Sequence, residues 1–310
     1  MNSPAPAAPS GYQHGDYARS FSDIATPRPL ERCGGWLLER ATPALPLRDA
    51  MGCYPLFACT DWSGLRDDLE AVASELVALV LVADPFGPRD VQALSACFDD
   101  VVEFKPHHVV DLDETPARPL PRKHRRNVER ALDRVQLETC ATPLDHLDDW
   151  VALYRGLEER HGITGVRSFS RECLRRQMGV PGLVMFRAVL DGATVGLHQW
   201  MVHGGVAYGH LGATSAAGYA EHASYALYWH AREHFRGRVR WLDLGSTPGA
   251  AEASAGNGLD RFKRGWATGT RPAWLCTRVF DRGKYDALLA ATCAPTSTGY
   301  FPAYRSGDFG

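Results

Sequence analysis

Between Leu183 and Ser215 three apolar runs follow one another with almost no interruption: LVMFRAVLDG, ATVGLHQWMVHGG and VAYGHLGATS. Each is rich in β-branched or aromatic residues. Each junction contains glycine, which accepts the positive φ that tight hairpins need. Three strands joined this closely predict an antiparallel meander. The flanking segments are as easily ordered. ASYALYWHAREHF has the helical period, VRWLDLGS reads as a strand, GLDRFKRGW as a short helix and RPAWLCTRVFD as a strand. Upstream, VQLETCATP reads as a strand. LDHLDDWVALYRGLEERHG reads as an amphipathic helix with an acidic first turn, and FSRECLRRQM as a shorter helix that Ser170 can cap. The second half therefore predicts the order β-α-α-β-β-β-α-β-α-β.

The first half is less regular. ALVLVADP and VVEFKPHHVVDL are strand candidates, and Asp61 to Leu76 and Pro88 to Cys97 look helical. The Pro-rich connection DETPARPLP leads into RKHRRNVERALDRV. There Val128, Ala131, Leu132 and Val135 make an apolar stripe, and Arg122, Arg126, Arg130 and Arg134 recur at every fourth position. Pro121 suits the start of that helix. Its basic face is either a solvated surface or a track for phosphates, with Lys123 and Arg125 adding charge beside it.

A chain of 310 residues suggests about two domains. Lys and Arg number 34 against 36 Asp and Glu, which argues against a bulk nucleic-acid binder but allows a local basic patch. The longest apolar run, LVALVLVA, is far too short to span a bilayer. The N-terminus, MNSPAPAAPSGYQHGDY, is Pro/Ala/Ser-rich without an apolar core, so a disordered tail is expected rather than a signal peptide or membrane helix. The eight cysteines show no C-x-x-C and no zinc-finger spacing, and read as reduced thiols of a cytoplasmic protein.

Three segments together resemble one known group: RKHRRNVERA, VAYGHLGATSAAGYAEHASYALYWHA, and WLDLGS followed by GLDRFKRGW. The group is the GNAT acyltransferase superfamily. The resemblance is strongest to its Fem-like branch, the peptidoglycan aminoacyltransferases and their "acetyltransferase 6" relatives. It implies an α+β fold: a mixed, mostly antiparallel sheet flanked by helices, in two tandem GNAT-like domains. The expected division is a disordered tail over 1–20, a degenerate N-terminal domain over 21–135 ending in the basic helix, a C-terminal GNAT domain over 136–290 and a tail over 291–310. The implied activity is N-acyl transfer, from acyl-CoA or aminoacyl-tRNA as co-substrate to a small-molecule or peptide amine. No tightly bound cofactor and no metal are expected.

The same resemblance implies roles for residues. Lys263 matches the lysine that lies at the Fem-like active centre, where a fixed cation can stabilise the oxyanion formed when an amine attacks an activated carbonyl. Arg261 and Arg264 can hold donor phosphates, while Phe262 and Trp266 anchor the short helix. GNAT enzymes that use acyl-CoA carry Gln/Arg-x-x-Gly-x-Gly/Ala ahead of a helix. Here the stretch is SAAGYA, in which Gly218 and Ala220 fit but Ser215 replaces the expected first residue. Fem-like members that use aminoacyl-tRNA also lack the full loop, so the donor stays open. Arg122, Lys123, Arg125, Arg126 and Arg130 are the candidates for tRNA or nucleotide phosphates.

His198 and His210, on the central strands, are candidate general bases. Asp243 is another, or else a partner that orients Lys263 or Arg261. Glu158, His161 and Arg167 border the expected acceptor cleft, Arg167 as a grip for a carboxylate or phosphate. Two other classes are weighed. One is a non-catalytic binder of tRNA or a nucleotide-linked ligand on a decayed transferase fold. The other is a zinc protease, through the H-x-x-E-H match HAREH at His230 to His234.

Overall fold

The computed structural model describes residues 8–87, 91–114, 119–246, 258–294 and 299–308. Eleven strands form one sheet in the order β1-β2-β3-β4-β11-β5-β10-β9-β8-β7-β6. The first half supplies β1 (Thr26–Leu30), β2 (Gly35–Ala41), β3 (Arg48–Gly52), β4 (Ala78–Ala83) and β5 (Asp100–Asp111). The second supplies β6 (Gln136–Thr139), β7 (Leu183–Leu190), β8 (Ala193–His203), β9 (Val206–Thr214), β10 (Trp241–Asp243) and β11 (Gly269–Val279).

Only β3/β4 and β9/β10 pair in parallel; the other neighbours are antiparallel. The order is symmetric about the β11/β5 seam. Outward from it on either side come an antiparallel neighbour, then a parallel pair, then a meander. Each half lends its last strand to the other: β5 pairs with β10, and β11 pairs with β4. The two halves are thus joined in one sheet by strand exchange.

Helices repeat the symmetry. α1 is Gly15–Arg19, α2 Leu65–Val72, α3 Val91–Ser95, α4 Arg122–Leu132, α5 Leu147–His161, α6 Arg171–Met178, α7 Ala216–Ala220, α8 Ala223–Phe235, α9 Gly258–Trp266 and α10 Arg282–Ala291. α2 links β3 to β4 as α7 and α8 link β9 to β10. On one face of the second half, α1, α5 and α6 close over Tyr12, Tyr17, Trp150, Tyr208 and Met201. On the other, α4, α8 and α9 close over Trp200, Phe186, Leu227 and Trp266.

The expected helix caps and meander hold. The Ser170 side chain accepts from Cys173 N–H and opens α6. One expectation is corrected. The N-terminal tail is not free through residue 20: Gly11–Gln13 and α1 are helical, with Tyr12 and Tyr17 buried in the core. Their aromatic surface outweighs the Pro/Ala/Ser composition before them; residues 1–7 lie outside the described residues. The segment after 290 docks through Tyr304 and Arg305, which hydrogen-bond the fully buried Asp49 of β3 at 3.0 and 2.5 Å.

Candidate active site

β9 and β10 are paired only from Val206/Trp241 to Tyr208/Asp243. β10 then stops while β9 runs on to Thr214, so the two strands part. A β-bulge on β9, with His210 the extra residue between the Trp200/Gly209 and Gln199/Leu211 pairs, bends β9 at this point. The gap has two sides. His198 and Trp200 face α8, with the His198 ring stacked 4.7 Å from Tyr228. The paired residues Tyr208 and Asp243 face the other way.

Lys263 enters the gap from α9. Phe262 and Trp266 anchor that helix, Phe262 packing 4.8 Å from both Tyr225 and Tyr228. The His124 ring nitrogen lies 2.9 Å from the Phe262 carbonyl oxygen, and Gly265 leaves the room: a Cβ there would fall 2.0 Å from the imidazole. The Lys263 ammonium is buried and donates to the Ser246 carbonyl at 2.5 Å. Burial pushes its pKa down to about 8, against the opposing pull of Asp243 and Asp260. An ammonium tuned this close to neutrality can hold an oxyanion or yield a proton.

Asp243 does not pair with Lys263 or Arg261, as the sequence suggested. Its carboxylate lies 2.8 Å from the His107 ring nitrogen and accepts from Gly245 N–H at 2.7 Å. Strand exchange places His107 there, which no local signal in PHHVV announces. The neighbouring His108 points to the opposite face and meets Asp260 of α9 at 3.0 Å. Arg261 is exposed, and Arg264 pairs with Asp260.

His198 and His210 are both buried, and burial holds each near a pKa of about 3, with Lys263 adding to the effect at His198. They stay neutral at physiological pH and are weak bases. His210 lies 3.2 Å from both the Tyr12 hydroxyl and the Gln177 side-chain oxygen, on the face away from His198.

A residue the sequence reading missed is Asp84. It follows β4 as Asp243 ends β10, the equivalent place in the other half. It is buried, and both its oxygens accept from the Tyr208 hydroxyl, at 2.8 and 2.9 Å. Burial lifts its pKa to about 7. The repeated pattern of an aspartate closing an apolar inner strand, in LVLVAD and WLD, was the available signal.

The sequence profile described as acetyltransferase (GNAT) domain matches residues 121–264, from the start of α4 to α9. A crystal structure of FemX superposes with a TM-score of 0.65 at 16% identity, over 91% of this chain and 96% of that one. The C-terminal domain of a protein described as a lysylphosphatidylglycerol synthetase, from Agrobacterium fabrum, gives 0.63 at 14% identity, over 92% of each chain. L-PGS from Bacillus licheniformis gives 0.56 at 12%, over 91% of this chain and 97% of that one. Among curated proteins none matches by sequence.

Residues 121–264 match the GNAT domain, and the chain shares the fold of FemX.

The remaining candidates all lie within the matched residues 121–264. Arg122, Lys123, Arg125, Arg126 and Arg130 are all exposed on α4. Lys123, Arg126 and Arg130 converge on His222 at the start of α8. After its partial burial, their charges are what depress its pKa, with Glu221 opposing. His222 is left-handed, and its side chain makes no cap to α8. SAAGYA is a closed structure rather than an open loop: Ser215 caps α7 by accepting from Gly218 N–H. Gly218 packs so tightly that a Cβ would sit 2.2 Å from the Val195 carbonyl oxygen; Ala220 is exposed. Glu158 pairs with Arg155 on its own helix, and His161 is exposed at the helix end. Arg167 is near enough to Tyr54 and Lys105 to act on both electrostatically, which puts it on the Tyr208 face. In HAREH, His230 lies 3.1 Å from the Thr139 hydroxyl, and both histidines pack on Phe186. Among the described residues no three potential metal ligands gather.

Proposed function

We propose that this protein is an N-acyltransferase that works through the sheet. The activated donor lies on the α4/α8/α9 face, its carbonyl in the gap between β9 and β10, and the amine arrives from the Tyr208 face. The amine nitrogen attacks the carbonyl carbon. A C–N bond forms, the thioester C–S or ester C–O bond breaks, the nitrogen loses a proton and the leaving group gains one. Lys263 holds the negative charge on the carbonyl oxygen and can return a proton to the leaving atom. The Asp243–His107 pair and Asp84 line the side from which the amine arrives. Positioning supplies much of the rate, because the donor is already activated.

The observation that carries this reading is a buried lysine of near-neutral pKa at the point where two parallel strands part. Lys123, Arg126, Arg130 and the α8 N-terminus are the donor's phosphate contacts. The Gly218 N–H is already engaged by Ser215, so α7 contributes less. That favours a donor held by side-chain cations, which suits aminoacyl-tRNA as well as acyl-CoA.

The test is direct. Purified protein is titrated with acetyl-CoA and, separately, with charged and uncharged tRNA, and donor consumption is followed with a panel of amines. Saturable binding of one donor, with turnover lost in Lys263→Met but binding kept, supports the reading. Unchanged turnover in a folded Lys263→Met protein removes it. Salt-sensitive tRNA binding without transfer to any amine would instead favour the non-catalytic binder.

A further inference from the structure

β5 carries two histidines in succession, and successive side chains on a strand point to opposite faces. His107 meets Asp243 on the Tyr208 side, and His108 meets Asp260 on the α9 side, at 2.8 and 3.0 Å. Each imidazole is therefore oriented by a carboxylate, one on either side of the sheet. The proposed transfer needs a proton removed on one side and another delivered on the other.

The His108 pair stands beside Lys263. The His108 carbonyl accepts from Leu244 N–H at 2.9 Å, and its N–H donates to the Gly245 carbonyl at 3.2 Å, just past the end of β10. Gly245 has a φ of +71°, and a Cβ there would lie 3.5 Å from the Lys263 ammonium. On α9, Asp260 and Lys263 are three residues apart, share a face and are both buried. Arg264 pairs with the second Asp260 oxygen, so that carboxylate is held from two directions.

One nitrogen of His108 is left over. A carboxylate accepts, so in the neutral ring Nε2 carries the proton and Nδ1 a lone pair. Nδ1 is buried and has no hydrogen-bond partner among the described residues. Leaving a buried ring nitrogen unpaired is unfavourable, and a hydrogen-bonding atom of a bound substrate would offset that.

We propose that His108 is a further catalytic residue, the acid that protonates the leaving atom. As the C–S or C–O bond breaks, its electron pair goes to the leaving atom, which takes the proton from Nδ1 of the imidazolium. Nε2–H stays on Asp260, the proton lost by the amine departs on the Tyr208 side, and a proton from water restores His108. Lys263 is relieved of that task and keeps its charge on the carbonyl oxygen until the C=O bond is restored. The assignment rests on the reading above, in which the leaving atom lies on the α9 side.

The test uses the products, because they carry the leaving atom. The full chain is labelled with ¹⁵N-histidine, and the His108 signals are assigned with His108→Gln. CoA and, separately, an RNA minihelix ending in CCA are titrated at constant ionic strength. His222, beside the basic face of α4, reports binding independently. At least one probe is expected to shift both His222 and the His108 Nδ1 signal saturably. Desulfo-CoA, or a minihelix ending in 2′,3′-dideoxyadenosine, lacks the leaving atom and is expected to shift His222 alone. With whichever donor turns over, His108→Gln, which can still donate to Asp260, should lower kcat about a hundredfold. A His222 shift without Nδ1 movement, equal Nδ1 shifts with and without the leaving atom, or an undiminished kcat overturns the proposal and leaves the transfer reading standing. No shift of either ring with either probe overturns both.

Discussion

The His107 ring nitrogen of β5 and the Asp243 carboxylate of β10 lie 2.8 Å apart, both buried, and join the two halves across the exchanged strands. Removing the His107 ring leaves the buried carboxylate short of a partner. His107→Ala is expected to cost about 3 kcal/mol, since among the described residues Asp243 keeps only the Gly245 N–H. Urea unfolding checks this. His107→Ala combined with Asp243→Leu should recover much of the loss, because no uncompensated carboxylate remains.

Much of the second half was legible because its patterns are locally complete. The meander β7–β9 announces itself through period and glycine turns, and α6 through Ser170. The first three strands escaped notice for physical reasons. β1 reads TPRPL, an edge strand that tolerates two prolines, and β3 reads RDAMG, whose Asp49 is buried only because Tyr304 and Arg305 come from the far end of the chain. The site divides in the same way. Lys263 was singled out through its match to the Fem-like lysine, on a short helix that Phe262 and Trp266 anchor. His107 and Asp243 meet only through strand exchange, so their pairing cannot be read from any local window.

Lys263 is predicted to be held in place at the expense of stability. Its folded pKa, about 8, lies below the ordinary lysine value of 10.5, so the unfolded chain binds a proton that the folded chain has released between those limits. Stability from this group therefore rises with pH across that window and carries the full penalty below it, about 3 kcal/mol. Lys263→Met should raise stability near neutral pH by about 2 kcal/mol, after losing the Ser246 hydrogen bond. The gain should shrink above pH 8. Thermal unfolding across pH reads both, and acyl transfer should fall with the same substitution.

Asp84 behaves in the opposite sense. Its folded pKa, about 7, lies above the ordinary aspartate value of 3.8, so the folded chain keeps a proton that the unfolded chain has lost. Its contribution therefore declines as pH rises between about 4 and 7, by up to about 4 kcal/mol. Asp84→Asn should flatten the unfolding free energy over that range and be the more stable protein above it. An Asn variant that keeps the wild-type slope would show that the carboxyl titrates normally. Asn also keeps a side-chain oxygen that can accept from Tyr208, so a change in slope reports the proton rather than lost packing.

The basic face of α4 gives a prediction that is independent of which donor is used. Burial and then Arg130, with Arg126 and Lys123, hold His222 below the ordinary histidine pKa, so reversing two of those charges must raise it. In Arg126→Glu/Arg130→Glu the His222 ring resonance is expected to titrate at higher pH than in the wild type, followed by NMR. The same variant should bind the phosphate-bearing donor at least about tenfold more weakly, with a shallower dependence on salt, because each lost phosphate contact removes about one released counterion from the slope. Both side chains are exposed, and neither is in an ion pair among the described residues, so the fold should survive the change. A shifted histidine with an unaltered salt slope would place the donor phosphates away from α4, even though the electrostatics there are as described.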